Sequence, residues 1–97
     1  MKLEEMQANA AQAVNLLKAM GNENRLMILC LLHDKELSVT ELNQQLAIPQ
    51  SSLSQQLGAL RREGFVNTRR ASQTVYYSLS STEVIEVIHT LHKLYCK

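Results

Sequence analysis

The sequence predicts a mainly α fold: five helices with one two-stranded β-hairpin. Three observations predict it. Apolar residues recur at helical spacing along most of the chain. Short polar breaks containing glycine or proline divide that pattern into separate helices. After Gly64 the period falls to two and Val, Thr, Tyr and Phe dominate. A length of 97 residues predicts one domain over residues 1–97. A chain this short buries only a modest core, so support from a second subunit is expected.

The first helix is expected over residues 3–19. Leu3, Met6, Ala10, Ala13, Val14 and Leu17 form its apolar stripe, and Gly21 stops it. Asn22 suits the N-cap of the second helix, with Glu23 at its positive end. That helix, about Glu23 to His33, carries "LMILCLL", apolar nearly all round, and is the expected core helix. "HDKE" reads as a polar turn. Ser38 then caps a short third helix, with Glu41 three residues on as its capping-box partner. Leu42 and Leu46 are its buried side.

"AIPQ" is a break, because Pro49 disfavours helix at Ile48 and suits the first turn of the fourth helix. That helix runs to about Arg62 and ends at Gly64. In "FVNTRRASQTVYYSL", Val75, Tyr77 and Leu79 alternate with Thr74, Tyr76 and Ser78, with Arg70 to Gln73 as the turn. A hairpin alone is marginal in water and must lean on the helices. Ser81 or Thr82 caps a fifth helix to about Tyr95.

Net charge is only +1, but its distribution is uneven. Arg61, Arg62, Arg69 and Arg70 are four of the ten basic residues, and only Glu63 opposes them locally in sequence. Such a cluster is the footprint of polyanion binding, although a charged helix end beside a hairpin would look the same. The fourth helix gives the cluster meaning. Leu53, Leu57 and Leu60 mark its buried face, while Gln50, Ser51, Ser52, Ser54 and Gln55 carry short hydrogen-bonding groups on the other. Two short helices joined by a tight turn and followed by a hairpin make a winged helix-turn-helix. Its second helix lies in the DNA major groove with its N-terminal residues at the base edges, where Gln, Ser and Arg read donors and acceptors. The arginines near the wing would meet phosphates. A polar helix that faces only water, or a protein-interaction module, is the alternative.

Three blocks, "LLKAMGNENRLMILCLL", "ELSVTELNQQLAIPQSSLSQQLGALRREGFV" and "YYSL", are similar to the ArsR/SmtB repressors over almost the entire chain. The resemblance implies a homodimer built on the first and last helices, bound to an imperfectly palindromic double-stranded operator and released by an inducer. It also implies groove-reading roles for Gln50, Ser51, Ser54 and Gln55. Many members have His where Gln55 stands, so base preference is expected to differ.

The metal sites of the family are altered. A "CVC" box is replaced by "SVT", with Ser38 and Thr40 in place of both thiols, and hydroxyls are poor ligands for soft metals. The last helix has His89 and His92 but lacks the acidic and histidine pattern of the second metal site. No resident metal or cofactor is expected. Cys30 and Cys96, with "LYC" closing the chain, resemble the HlyU, BigR and SqrR type of sensor, which joins two cysteines in response to persulfides or oxidants. The resemblance implies a thiol switch; the residues alone favour two unrelated cysteines, one a small core hydrophobe and one a frayed helix end. A metal-responsive reading stays open, because His89, His92 and Cys96 share one helical stripe and Cys30 and His33 are one turn apart. No carboxylate pair, phosphate-binding glycine loop or base-activated nucleophile points to an enzyme. The longest apolar run, within "RLMILCLLH", is too short for a membrane span, and the polar start is no signal peptide, so a cytoplasmic protein is expected.

Overall fold

The computed structural model describes residues 1–96 and contains five helices and three strands. In chain order these are α1 (Leu3–Met20), α2 (Glu23–Leu31), β1 (Leu37–Ser38), α3 (Val39–Gln45), α4 (Gln50–Arg62), β2 (Val66–Ala71), β3 (Thr74–Leu79) and α5 (Thr82–Tyr95).

The caps follow the side chains. Asn22 Oδ1 accepts from the Arg25 backbone N–H at 3.1 Å and starts α2. Ser38 Oγ accepts from Glu41 N–H at 3.1 Å, and Glu41 Oε1 accepts from Ser38 N–H at 2.9 Å, so the capping box is complete. Pro49 occupies the N-cap of α4, and Ser81 caps α5 through Val84 N–H. α4 closes through Gly64 at φ 82°, where a Cβ would be strained. α2 is shorter than expected: it ends at Leu31, because Asp34 takes a left-handed φ of 61° that reverses the chain.

The wing is three-stranded, which corrects the two-stranded expectation. The sheet order is β1-β3-β2, all antiparallel, with Leu37 opposite Tyr77 and Ser38 opposite Tyr76. β1 is only two residues long, and its partners lie almost forty residues downstream. No local pattern announces such a strand. It also explains why β3 shows no alternation in burial from Val75 to Leu79: this strand is central, not an edge. The hairpin turn is tighter than expected. Ala71 pairs with Thr74, leaving Ser72 (φ 60°) and Gln73 as the turn and placing Arg70 within β2.

The core joins all layers. Ile28, Leu29 and Leu32 of α2, Leu42 of α3, Leu53, Leu57 and Leu60 of α4, and Val84 and Ile88 of α5 are buried together. α1 behaves differently. Only Ala19 and Met20 at its end are buried, while Leu3, Val14 and Leu17 of its apolar stripe are 68%, 47% and 62% exposed. No helix is long and apolar enough to cross a membrane among the described residues.

Candidate functional site

α4 is positioned from beneath. Leu53, Leu57 and Leu60 are fully buried, which fixes its rotation about its axis. Asn43 Nδ2 of α3 donates to the Ile48 carbonyl at 2.6 Å and pins the α3–α4 turn. With the apolar face down, Gln50, Ser51, Ser54 and Gln55 stand exposed on one outward surface. Ser52 is half-buried and differs from the expectation of a free reader: its Oγ accepts from Gln56 Nε2 at 3.2 Å. Gln56 thus positions Ser52, a role the i,i+4 spacing could have suggested.

Arg61 and Arg62 are exposed in the last turn of α4, and Arg70 is exposed near the wing turn. Arg69 is not a free cation. Its Nε donates to both carboxylate oxygens of Glu36 at 3.0 and 3.2 Å, and its Nη2 donates to Oε1 as well. Its Cζ lies 5.0 Å from the centroid of the Tyr76 ring. The hydrogen bonds from Arg69 hold the Glu36 carboxyl below the usual carboxylate range. Glu36 is 33 residues away in sequence, so the charges near Arg69 along the chain do not reveal it.

The two cysteines, 66 residues apart in sequence, line one cavity of about 240 Å³. α2 supplies Leu26 and Cys30, and His33 follows just beyond its end. α5 supplies Ile88, Leu91, His92 and Tyr95, with Cys96 at its C-cap. Both thiols are free; Cys30 is half-buried and Cys96 exposed. Burial, and then the charge of a Cys96 thiolate, push the Cys30 thiol above its ordinary pKa. The fold therefore favours the neutral thiol at Cys30, and its reactivity depends on losing that proton.

The imidazole of His33 sits 6.2 Å from that of His89 and 6.0 Å from that of His92, centroid to centroid. His33 Nε2 is also 3.6 Å from Asp34 Oδ2. Sequence spacing groups these histidines with the cysteines as a possible metal set. Among the described residues, however, no three His, Cys, Asp or Glu side chains are placed to hold one ion. Hydroxyls at Ser38 and Thr40 add nothing, since Ser38 is already used as a helix cap.

Comparison with known proteins agrees with this architecture. Residues 22–68 match the family described as bacterial regulatory protein, arsR family. Over 97 residues the chain is 61% identical to the transcriptional activator HlyU of Vibrio cholerae, spanning 100% of this chain and 90% of that one. It is 41% identical over 96 residues to the biofilm growth-associated repressor of Xylella fastidiosa, spanning 99% of this chain and 84% of that one. The structure of reduced HlyU from Vibrio cholerae superimposes with a TM-score of 0.92 at 61% identity, over 98% of this chain and 100% of that chain. The repressor BigR from Xylella fastidiosa does so at 0.90 with 40% identity, over 100% and 99%. With its capped α3–α4 pair, its wing and these relatives, the chain belongs to the arsR family of bacterial regulatory proteins.

Proposed function

We propose that this regulator binds a palindromic operator as a homodimer and releases it when Cys30 and Cys96 are joined. Transcriptional regulation through DNA binding follows from the family and its winged-helix fold. The thiol switch is carried by one observation: the fold brings both cysteines of the chain to a single cavity between α2 and α5. In this reading residues 1–97 form one DNA-binding and dimerisation unit. Gln50, Ser51, Ser54 and Gln55, with Ser52 held by Gln56, meet base edges. Arg61, Arg62 and Arg70 meet phosphates, and Arg69 joins them once Glu36 lets go.

The exposed apolar stripe of α1, together with Leu94 and Tyr95 of α5 at 60% and 79% exposure, is the surface on which a second subunit packs. A bond between Cys30 and Cys96 fastens the core helix to that same α5. Half-sites are one DNA turn apart, so a small rotation of each subunit spoils the fit. A direct disulfide needs Cα atoms within about 7 Å; a polysulfide bridge tolerates more. The Vibrio cholerae relative is named an activator and the Xylella fastidiosa relative a repressor, and release of DNA is compatible with either direction of regulation.

The test treats metal-free protein with a persulfide and, separately, with peroxide, and follows intact mass and operator binding together. Loss of DNA binding in step with a mass change confined to the two cysteines supports the switch. Release of DNA from a Cys30→Ser/Cys96→Ser double variant, or by stoichiometric zinc alone, overturns it.

A further inference from the structure

The hydrogen bond from Gln56 decides more than where Ser52 sits. We infer that it commits the Ser52 hydroxyl to donate, so that Ser52 selects an acceptor on the major-groove edge of a base (guanine, adenine or thymine) and rejects cytosine. This rests on the reading that Ser52 meets a base edge, and it names what Ser52 reads there.

A free serine has no such preference. Its hydroxyl carries one rotating proton and two lone pairs, and serine pairs with donor and acceptor edges alike. In α4 one lone pair is taken, because Ser52 Oγ accepts from Gln56 Nε2 at 3.2 Å. The proton is still free. Among the described residues Ser52 Oγ donates to no acceptor, whereas the hydroxyls of Ser80, Ser81 and Thr90 each do. A cytosine amino group could use the second lone pair only by leaving that proton unpaired at a closed interface, at the full cost of desolvating a donor. Donation to a base acceptor leaves a lone pair instead, and an under-used acceptor is better tolerated.

The direction of the bond follows from the burial of Gln56. Ser52 and Gln56 lie one turn apart on α4, flanking the buried Leu53 and Leu57, and both are half-buried. Gln56 Oε1 is fully buried and has no partner among the described residues. Turning the amide over would put Nε2 there, burying two unpaired donors in place of one unpaired acceptor. Orphaned buried N–H groups are the rarer of the two, so Nε2 faces Ser52. Gln56 is thus a positioning residue: it touches no base itself and sets the polarity of the residue that does.

The experiment uses an operator selected from random duplexes, changed one base pair at a time in both half-sites, and full-length protein. The pair at which discrimination collapses in Ser52→Ala is the one that Ser52 faces. There the wild type is expected to bind cytosine about fivefold or more weaker than the best acceptor base. Gln56→Glu replaces the donor with an acceptor: its carboxylate takes the Ser52 proton and turns the lone pairs outward. Affinity for all DNA should fall through phosphate repulsion, but the ratio at that one pair should reverse to favour cytosine, with the ratios at other pairs unchanged. Gln56→Met, similar in length and without the amide, should bring the ratio at that pair close to one. Thermal melts establish that each variant is folded, and if Gln56→Glu does not fold the Gln56→Met ratio decides. A wild type that favours cytosine at that pair, or a ratio that the folded Gln56 variants leave unchanged, overturns the inference. Sequence-specific binding that Ser52→Ala leaves intact at every pair also overturns it, yet leaves operator recognition by α4 standing. Wild-type protein that prefers no operator over random DNA defeats both.

Discussion

Glu36, in the turn after α2, holds Arg69 of the wing by a two-oxygen ion pair, with the guanidinium 5.0 Å from the centre of the Tyr76 ring. The turn that bears Glu36 begins at His33, which lines the cysteine cavity. One four-residue segment therefore touches the thiol site at one end and a candidate phosphate-binding arginine at the other.

Glu36→Gln is expected to free Arg69 for phosphate. Affinity for any DNA should rise and the salt dependence should steepen by about 0.9 in the log–log slope, the contribution of one added phosphate contact. Binding isotherms at several salt concentrations on operator and random DNA check this. An unchanged slope would mean that Arg69 does not reach the backbone.

The same pair sets a pH dependence. Hydrogen bonding from Arg69 lowers the Glu36 pKa in the folded state. The stabilisation is therefore present above the unfolded-state pKa and is lost as pH falls through the lowered folded value. Both partners are solvent-exposed, so the effect is local. NMR titration should show the Arg69 Nε–H and Tyr76 ring signals shifting together on the acid side of the ordinary glutamate range, and Glu36→Gln should abolish that transition.

Gln55→Ala should weaken operator binding by about 1–3 kcal/mol and leave random DNA nearly unaffected. Arg70→Ala should weaken both and flatten the salt dependence. Competition binding with the two DNAs distinguishes them; equal losses for Gln55→Ala would remove it as a base reader.

Deleting residues 1–18 removes the exposed Leu3, Val14 and Leu17 but leaves the buried Ala19 and Met20. The product should sediment as a monomer and lose operator affinity. A truncated chain that still sediments as a dimer would place the interface elsewhere.

Cys30 should be slow to alkylate at neutral pH. Its folded pKa is raised by burial and by Cys96, so the fold favours the neutral thiol. That preference is fully present below the unfolded pKa and is lost as pH rises through the folded one. The pH profile for iodoacetamide at Cys30 should lie at higher pH in native protein than in urea. Cys30→Ser and Cys96→Ser should each bind operator yet ignore the inducer. In the wild type, a hundredfold release requires the joined state to disfavour the DNA-bound geometry by about 2.7 kcal/mol.

Much of this protein is written locally. Asn22, the Ser38–Glu41 box and Gly64 mark helix ends because a cap is satisfied within about four residues. The leucine spacing of α4 fixes which face is buried, and hence which polar residues face outward, because a helix repeats every 3.6 residues. Tertiary structure alone decided whatever joins distant residues. Leu37 and Ser38 become a strand only because Tyr76 and Tyr77 arrive beside them. Arg69 looks like a free cation until folding brings Glu36 to it. Cys30 and Cys96 are marked as a pair in the sequence by the family resemblance alone, and they share a cavity because α5 packs against α2 through Ile88 and the core. Backbone pairing, ion pairs and shared cavities depend on separation in space, which the order of residues along a chain does not state.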